Sequence, residues 1–177
     1  MQRREFSFEI DAPRRDIWSI LHPRLKPDPD GARRVLEGGG VRIEIMNLGD
    51  EHGEGLVRTC TYRMPRWVLS GGVGRSWECV TEVRPDKFSS TYEAIARHPW
   101  AFASGRHRLD DLGAGRTKVC FGETYELASP VMRPLVESRL HAFITRDNEQ
   151  VMRDAITAGL QAIAAHRAAR SAQQDPG

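Results

Sequence analysis

Cysteine is scarce in this sequence, and its arrangement argues against two common structural uses. The chain has 3 cysteines, Cys60, Cys79 and Cys120, an odd number with no motif spacing. The 6 histidines never occur at the spacing that a metal site on one helix or loop requires. We therefore expect no metal ion, no cofactor and no intramolecular disulfide, and the unpaired thiols favour a reducing, cytoplasmic location.

Long apolar runs and a surplus of one charge are absent as well. No apolar stretch approaches the length of a membrane span, and residues 1–5 do not lead into a signal peptide. The 26 basic and 24 acidic residues leave a formal net charge of +2, far from the basic surplus of a dedicated nucleic-acid binder. We expect a soluble protein with no membrane span and no nucleic-acid partner. The sequence leaves open whether the chain forms a homodimer.

The motifs of covalent catalysis and of phosphate binding are missing too. No Gly-x-Ser-x-Gly segment, which would present a serine nucleophile, is present. The glycine-rich run 71–74 precedes a strand instead of a helix, so it lacks the helix N-terminus that binds phosphate. Two interpretations of residues 65–75 stay open, a mobile lid over a cavity mouth or a packed loop.

What the sequence does contain is repeated alternation of apolar and polar residues, the pattern of half-buried strands. Residues 5–11 show it first, and Pro13 then begins a short helix that ends near His22. A second short helix is predicted over residues 32–37. Strand-like runs follow at 41–48, 54–64, 75–83, 87–96, 101–110 and 116–127.

The C-terminal part of the chain changes to helical periodicity. Apolar residues recur at helical spacing between residues 134 and 168, which predicts one long helix. Residues 170–177 show no packing signal and predict a disordered tail. A chain of 177 residues favours a single domain, here residues 1–169.

The first strand and helix, together with two later turns, resemble a known superfamily. The residues that carry the resemblance are Phe6-x-Phe8-x-Ile10-x-Ala12-Pro13-x-x-x-Ile17-Trp18-x-x-Leu21, Glu82-Val83-Arg84-Pro85 and Leu109-x-x-Leu112-Gly113-x-Gly115-x-Thr117-x-Val119. They resemble the helix-grip superfamily of START domains, the birch-pollen-allergen fold and bacterial polyketide cyclase/dehydrase and lipid-transport proteins. The resemblance implies an α+β helix-grip fold with a seven-stranded curved antiparallel sheet, two short helices and a long C-terminal helix.

The turns of the predicted sheet fix a register, and the register fixes which side chains face inward. Pairing Val83 with Phe88, Ala94 with Ala103 and Leu109 with Thr117 places aromatic and apolar residues together on one face. That face must be covered by the long helix, where the small residues Ala155, Ala158 and Gly159 leave room for a ligand. The inward positions predict a ligand-binding set consisting of Trp77, Tyr92, His107, Phe121, Glu123 and Tyr125.

Two functions compete on this sequence. The first is binding or carriage of a small, mostly apolar molecule, lipid-like or aromatic and polyketide-like, in a cavity between sheet and helix. The alternative is an enzyme of polyketide cyclase or dehydratase type, with Glu123 or His107 as general base. Because the superfamily resembled here hosts carriers and enzymes alike, the fold does not choose between them.

Overall fold

The computed structural model describes residues 1–23, 35–38, 41–66, 71–96 and 100–174 of the chain. These residues form one antiparallel sheet and two α-helices. The elements are β1 (Gln2–Ile10), α1 (Arg14–Leu21), β2 (Val35–Gly38), β3 (Val41–Asn47), β4 (Val57–Arg63), β5 (Val73–Arg84), β6 (Ser89–Ala96), β7 (Trp100–Gly113), β8 (Arg116–Leu127) and α2 (Arg133–Gln174).

Strands β2 to β8 form a meander, and β1 pairs with β8 to complete the sheet. Their order across the sheet is β1-β8-β7-β6-β5-β4-β3-β2, so every consecutive pair from β2 to β8 is a neighbour. β1 pairs with β8 over its whole length, with Phe6 opposite Phe121. The N-terminal strand therefore lies beside the last strand, next to the helix that follows that strand.

Strict alternation along β8 defines the inner face of the sheet. Every second residue of β8 is buried, and the intervening residues are half-buried or exposed, as expected for a strand with one face on the core. The buried members are Thr117, Val119, Phe121, Glu123, Tyr125 and Leu127. Helix α2 lies against this face, where Leu140 and Ile156 are fully buried. Burying such a side chain stabilises the fold by roughly 1.5–3 kcal/mol.

The buried apolar residues form two clusters along α2. One contains Trp100, Tyr125, Leu140 and Ile144. The other packs Ile156 against residues of β1, α1, β7, β8 and the β1–α1 connection, namely Phe8, Ala12, Ile17, Leu109 and Val119. The helix is thus held by apolar contacts near its start and at its middle.

The close approach of α1 to α2 depends on Gly159. A Cβ atom at this position would lie 2.7 Å from Cγ1 and Cγ2 of Ile20, so no other residue fits without a shift of the Ile20 side chain or of α1. The start of α1 is held by the Thr117 hydroxyl, which donates to the carbonyl of Ala12 at 2.7 Å. Gly159 therefore provides room for α1. The prediction that Gly159 leaves room for a ligand is wrong.

The helix-grip fold predicted from the sequence is confirmed, with one element of a different type. Residues 35–37 of the predicted second short helix belong to β2, and residues 32–34 lie outside the described residues. Within the described residues the sheet therefore has eight strands instead of seven. The four residues of β2 pair with β3 from Val35 opposite Glu44 to Gly38 opposite Val41. Pairing with an otherwise open sheet edge outweighs the weak helical preference of so short a segment.

Helix α2 is longer than its apolar periodicity predicts. It continues to Gln174, so residues 170–174 of the predicted tail are helical, while 175–177 lie outside the described residues. Alanine, arginine and glutamine dominate this end, and their high helix propensity extends the helix beyond the residues that pack. A domain boundary at residue 169 stays a prediction. Among the described residues, no helix is long and apolar enough to cross a membrane.

His141, on α2, is a buried titratable group in this core. The side chain is fully buried, and neither ring nitrogen has a hydrogen-bond partner among the described residues. Its ring meets the edge of Tyr125, with 4.6 Å between ring centroids. Burial lowers the pKa of His141 to about 4, with Arg4 acting in the same direction and Glu137 in the opposite one.

Replacing His141 should make stability less dependent on pH. The unfolded chain takes up a proton at His141 as the pH falls below about 6.5, whereas the folded chain does so only near 4, so folding free energy is lost in this window. Between pH 7.5 and pH 5 the protonation of His141 in the unfolded state should lower the unfolding free energy of the unmodified chain by about 2 kcal/mol. We expect His141→Leu to lack this part of the decrease, as measured by urea unfolding at both pH values. His166→Gln, at an exposed position, is the control. Equal pH slopes for His141→Leu and the unmodified chain would contradict this account.

Candidate ligand-binding site

A cavity of about 800 Å³ lies between the inner face of the sheet and α2. Its size is that of pockets that enclose a small molecule. Most of the wall is apolar, and the contributing residues include Ile20, Leu21, Ile43, Ile45, Leu56, Val80, Ala94, Trp100, Ala103, Phe121, Ile144, Val151 and Met152. Ala155 and Ala158 of α2 also line it, as their small size suggested. The two core clusters therefore leave an unfilled space between them.

Four of the six sequence-predicted site residues line this cavity: Tyr92, His107, Phe121 and Tyr125. The observed register pairs Leu109 with Val119, two residues from the predicted pairing. A shift of two residues preserves which face each side chain occupies, because the side-chain period of a strand is two. The inward placement of these four residues therefore survives the error in register.

Glu123 occupies the same face but lies behind the cavity wall. It is 1% exposed, and its carboxylate accepts hydrogen bonds from three side chains. These are the hydroxyls of Tyr125 at 2.9 Å and Thr145 at 3.0 Å, and the amide of Asn148. Burial raises the pKa of Glu123, and the three hydrogen bonds oppose that shift. Glu123 therefore connects β8 to α2, and it does not line the cavity.

Trp77 lies on the outer face of the sheet, so its predicted inward placement is wrong. Its side chain is 36% exposed, whereas Ser76 and Glu78 line the cavity. The pairing of β5 with β6 is irregular between Trp77 and Glu78 and again between Val80 and Glu82. The irregularity at Glu78 skips Ile95 of β6, whereas the one at Val80 leaves Thr81 of β5 unpaired and so shifts the alternation of β5 by one residue. Counting inward and outward positions back along β5 from Val83 therefore assigns the wrong residues to the inner face.

A half-buried ion pair that the sequence analysis missed lies on the cavity wall. Nε and Nη2 of Arg58 each lie 2.9 Å from Oε2 of Glu78. The other carboxylate oxygen of Glu78 accepts a hydrogen bond from the Ser76 hydroxyl at 2.8 Å, and the Cys60 thiol lies 3.3 Å from Oε2. Burial raises the pKa of Cys60, so this thiol is protonated and unreactive at neutral pH.

Tyr92 forms an aromatic floor beside this pair. The guanidinium of Arg58 lies 5.0 Å from the Tyr92 ring centroid, and the ring of Phe121 is stacked at 6.4 Å. The Tyr92 ring lies flat over Gly105, where a Cβ atom would be only 2.4 Å from the ring. The missing side chain at residue 105 thus keeps Tyr92 against the sheet and the cavity open.

Two histidines complete the polar part of the wall. Nε2 of His22 lies 3.1 Å from the Ser90 hydroxyl, and its ring is 6.1 Å from that of His107. Burial lowers the pKa of His22 to about 4, and Arg58 adds to this effect. Burial also lowers the pKa of His107 well below its usual range, with contributions from His22 and Arg58. Both imidazoles are therefore neutral at pH 7.

The missed polar residues had only a weak sequence signal. Arg58, Cys60 and Tyr62 share the inward face of β4, but the alternate residues Thr59 and Thr61 are polar too. Alternation therefore cannot distinguish the two faces of this strand. In the part of the chain that the structure describes, no three His, Cys, Asp or Glu side chains are grouped so as to hold a metal ion.

Comparison with known proteins identifies the fold. No protein-family model and no curated protein sequence matches the chain. A protein of Thermus thermophilus is similar in structure, with a TM-score of 0.66 and 16% identity over 91% of this chain and 99% of the other. Norcoclaurine synthase from Thalictrum flavum has a TM-score of 0.63 and 17% identity over 90% of this chain and 86% of the synthase.

A third similar structure is the Zhui aromatase/cyclase from Streptomyces sp. R1128, with a TM-score of 0.51. It is 14% identical over 92% of this chain and 95% of the enzyme. At these identities the likeness concerns the fold alone. The helix-grip fold that the sequence resemblance implied is thereby confirmed.

Substitution of Gly105 should displace the aromatic floor. Gly105→Ala places a methyl group inside the Tyr92 ring position, and we expect a loss of about 1–3 kcal/mol of unfolding free energy from overpacking. Gly122→Ala is the matched control on β8, because its Cβ would lie 3.5 Å from the flexible side chain of Glu5. Urea unfolding measures both variants. Equal losses would show that Tyr92 does not depend on the glycine.

Proposed function

We propose that the chain binds or carries a small, mostly apolar molecule in the cavity between its sheet and α2. The observation that carries this proposal is the cavity itself, about 800 Å³ with mostly apolar walls and a few polar groups on one side. Pockets of this composition hold small ligands, with the polar groups fixing their orientation. The fold supports the proposal, since a structure of Thalictrum flavum norcoclaurine synthase contains dopamine and hydroxybenzaldehyde.

The entrance that we propose lies between the β3–β4 loop and the middle of α2. Asp50, Glu51 and His52 of that loop are exposed and line the cavity, as do Asp154 and Ala155 of the helix. Residues that are both exposed and part of the lining mark where a cavity meets solvent. A ligand entering here would pass directly beneath α2 toward Tyr92.

Binding without catalysis is the function that the polar groups support best. A general base works best when its pKa is near the working pH, and burial lowers the pKa of both His22 and His107 far from that range. The carboxylate of Glu123 is engaged by three donors on the far side of the wall. These groups are suited to orient a ligand more than to move a proton.

Narrowing the proposed entrance should weaken binding without unfolding the chain. Ala155→Trp adds a large side chain at an exposed position of the cavity lining. We expect the affinity for the uncharged fluorescent probe N-phenyl-1-naphthylamine to fall about tenfold or more, as measured by fluorescence titration. Ala162→Trp, exposed on the same helix and outside the lining, should bind as the unmodified chain does. No probe binding by the unmodified chain would refute the proposed function.

An enzyme of cyclase or dehydratase type is the second candidate, because His107 and Tyr92 stand together in the cavity. Their ring centroids are 6.1 Å apart, and both residues contribute to the lining. Burial raises the pKa of Tyr92, so its hydroxyl stays protonated and can donate to a carbonyl oxygen. In this proposal His107 would remove a proton beside that carbonyl, and Tyr92 would stabilise the enolate oxygen.

Deuterium exchange distinguishes the two candidates. The methyl protons of 2-acetylnaphthalene exchange in deuterated buffer when a base removes them, and proton NMR measures the rate. Since the pKa of His107 is lowered, we expect the protein to leave the rate at its buffer value. Acceleration that falls about a hundredfold in His107→Gln would instead establish general-base catalysis. The control is again His166→Gln.

A further inference from the structure

The charges on the cavity wall are balanced. Arg58 is the one arginine or lysine among the described residues that line the cavity. It is paired with Glu78, and the two side chains are 22% and 12% exposed. His22 and His107 beside them are neutral because burial lowers the pKa of both. At neutral pH the interior wall therefore has no unpaired charge to offer an ionic ligand.

The same wall nevertheless contains N–H groups that the ion pair does not use. A guanidinium has five N–H groups, and the bonds from Arg58 to Glu78 use Nε and Nη2 on a single oxygen. Nδ1 of His107 is buried with no partner among the described residues, so a proton on Nε2 avoids a buried unpaired N–H group. The guanidinium and this imidazole flank the Tyr92 ring, at 5.0 and 6.1 Å.

The proposed entrance adds a bias against negative ligands. Asp50, Glu51 and Asp154 are acidic, exposed and part of the lining. Exposed charges act weakly, and salt screens them. Inside the cavity the effect is stronger, since an ion taken out of water without a partner costs several kcal/mol. Both the entrance and the interior therefore weaken the binding of a carboxylate.

We infer that the ligand is an uncharged molecule whose polar end accepts hydrogen bonds, as the carbonyl group of a ketone, aldehyde, ester or amide does. Arg58 and His107 donate to that acceptor, and the apolar part of the ligand lies between Tyr92 and α2. The ion pair with Glu78 excludes carboxylates by leaving Arg58 already neutralised. This inference rests on the proposed function and defines the class of molecule that the cavity accepts.

A matched pair of competitors tests the inference directly. N-phenyl-1-naphthylamine is displaced at pH 7.5 by 2-acetylnaphthalene, a ketone, or by 2-naphthoate, the carboxylate of the same ring system. We expect the ketone to bind at least about tenfold more tightly, a difference of about 1.4 kcal/mol. If the probe binds and 2-naphthoate competes as well as the ketone, the inference is overturned while the proposed function stands. If the probe does not bind, the proposed function itself fails.

The source of the selectivity is tested by Glu78→Gln, which keeps the shape of the side chain and removes its charge. Arg58 then has no counterion, and we expect the preference to shift toward 2-naphthoate by about tenfold or more. The control is Glu93→Gln on the neighbouring strand β6, exposed and outside the lining, which should change the ratio by less than about twofold because its charge is exposed and screened. A folded Glu78→Gln variant with an unchanged ratio overturns the role of the ion pair. If circular dichroism shows that Glu78→Gln is unfolded, the inference is judged on the unmodified chain alone, by the ratio of its affinities for 2-acetylnaphthalene and 2-naphthoate.

Discussion

Glu123 joins the sheet to the helix that covers it. One carboxylate accepts hydrogen bonds from Tyr125 of β8 and from Thr145 and Asn148 of α2, so strand and helix share a single buried anchor. Hydrogen bonds to an ionised group contribute about 1.5–3 kcal/mol each. Loss of the carboxylate would leave three donors to find new partners in a buried region. The distance between sheet and helix, and with it the height of the cavity, depends on this contact.

Helix α2 is fixed on both sides of the cavity. Toward its start, Glu137 accepts the backbone N–H of Leu127 at 2.9 Å. Toward its end, α1 packs directly on Gly159, and Arg167 donates to Asp16 at 2.9 Å. The helix between these contacts lies over the cavity with Val151 and Ala155 facing the space. A rigid helix fixed at two separated points can cover a sheet without filling the volume beneath it.

The polar groups inside the cavity are placed at some expense to stability. An ion pair largely removed from water, such as Arg58 and Glu78 at 22% and 12% exposure, is often no more stabilising than apolar residues of the same volume. His107 has a ring nitrogen without a partner among the described residues, which also costs free energy. Polar groups that stabilise the fold this little, yet surround one aromatic ring in an apolar space, fit a role in selecting the ligand. The proposed selectivity for uncharged acceptors uses the same groups.

The sequence by itself determined seven of the eight described strands, the long helix and the inner face of β7 and β8. These features follow from local periodicity, since a strand repeats every two residues and a helix every 3.6. Tyr92, His107, Phe121 and Tyr125 could be placed on the cavity wall for that reason, although the register was wrong by two residues. A register error of an even number of residues leaves each side chain on the same face of the sheet.

Only the tertiary structure decided where the pattern breaks and which distant residues meet. The bulge at Thr81 of β5 turns Trp77 outward and Glu78 inward, and it arises from pairing with β6, which no local pattern in β5 encodes. The ion pair of Glu78 with Arg58 joins two strands, and the approach of Ile20 to Gly159 joins two helices far apart in sequence. Such contacts depend on the packing of the whole chain, and local periodicity contains no information about them.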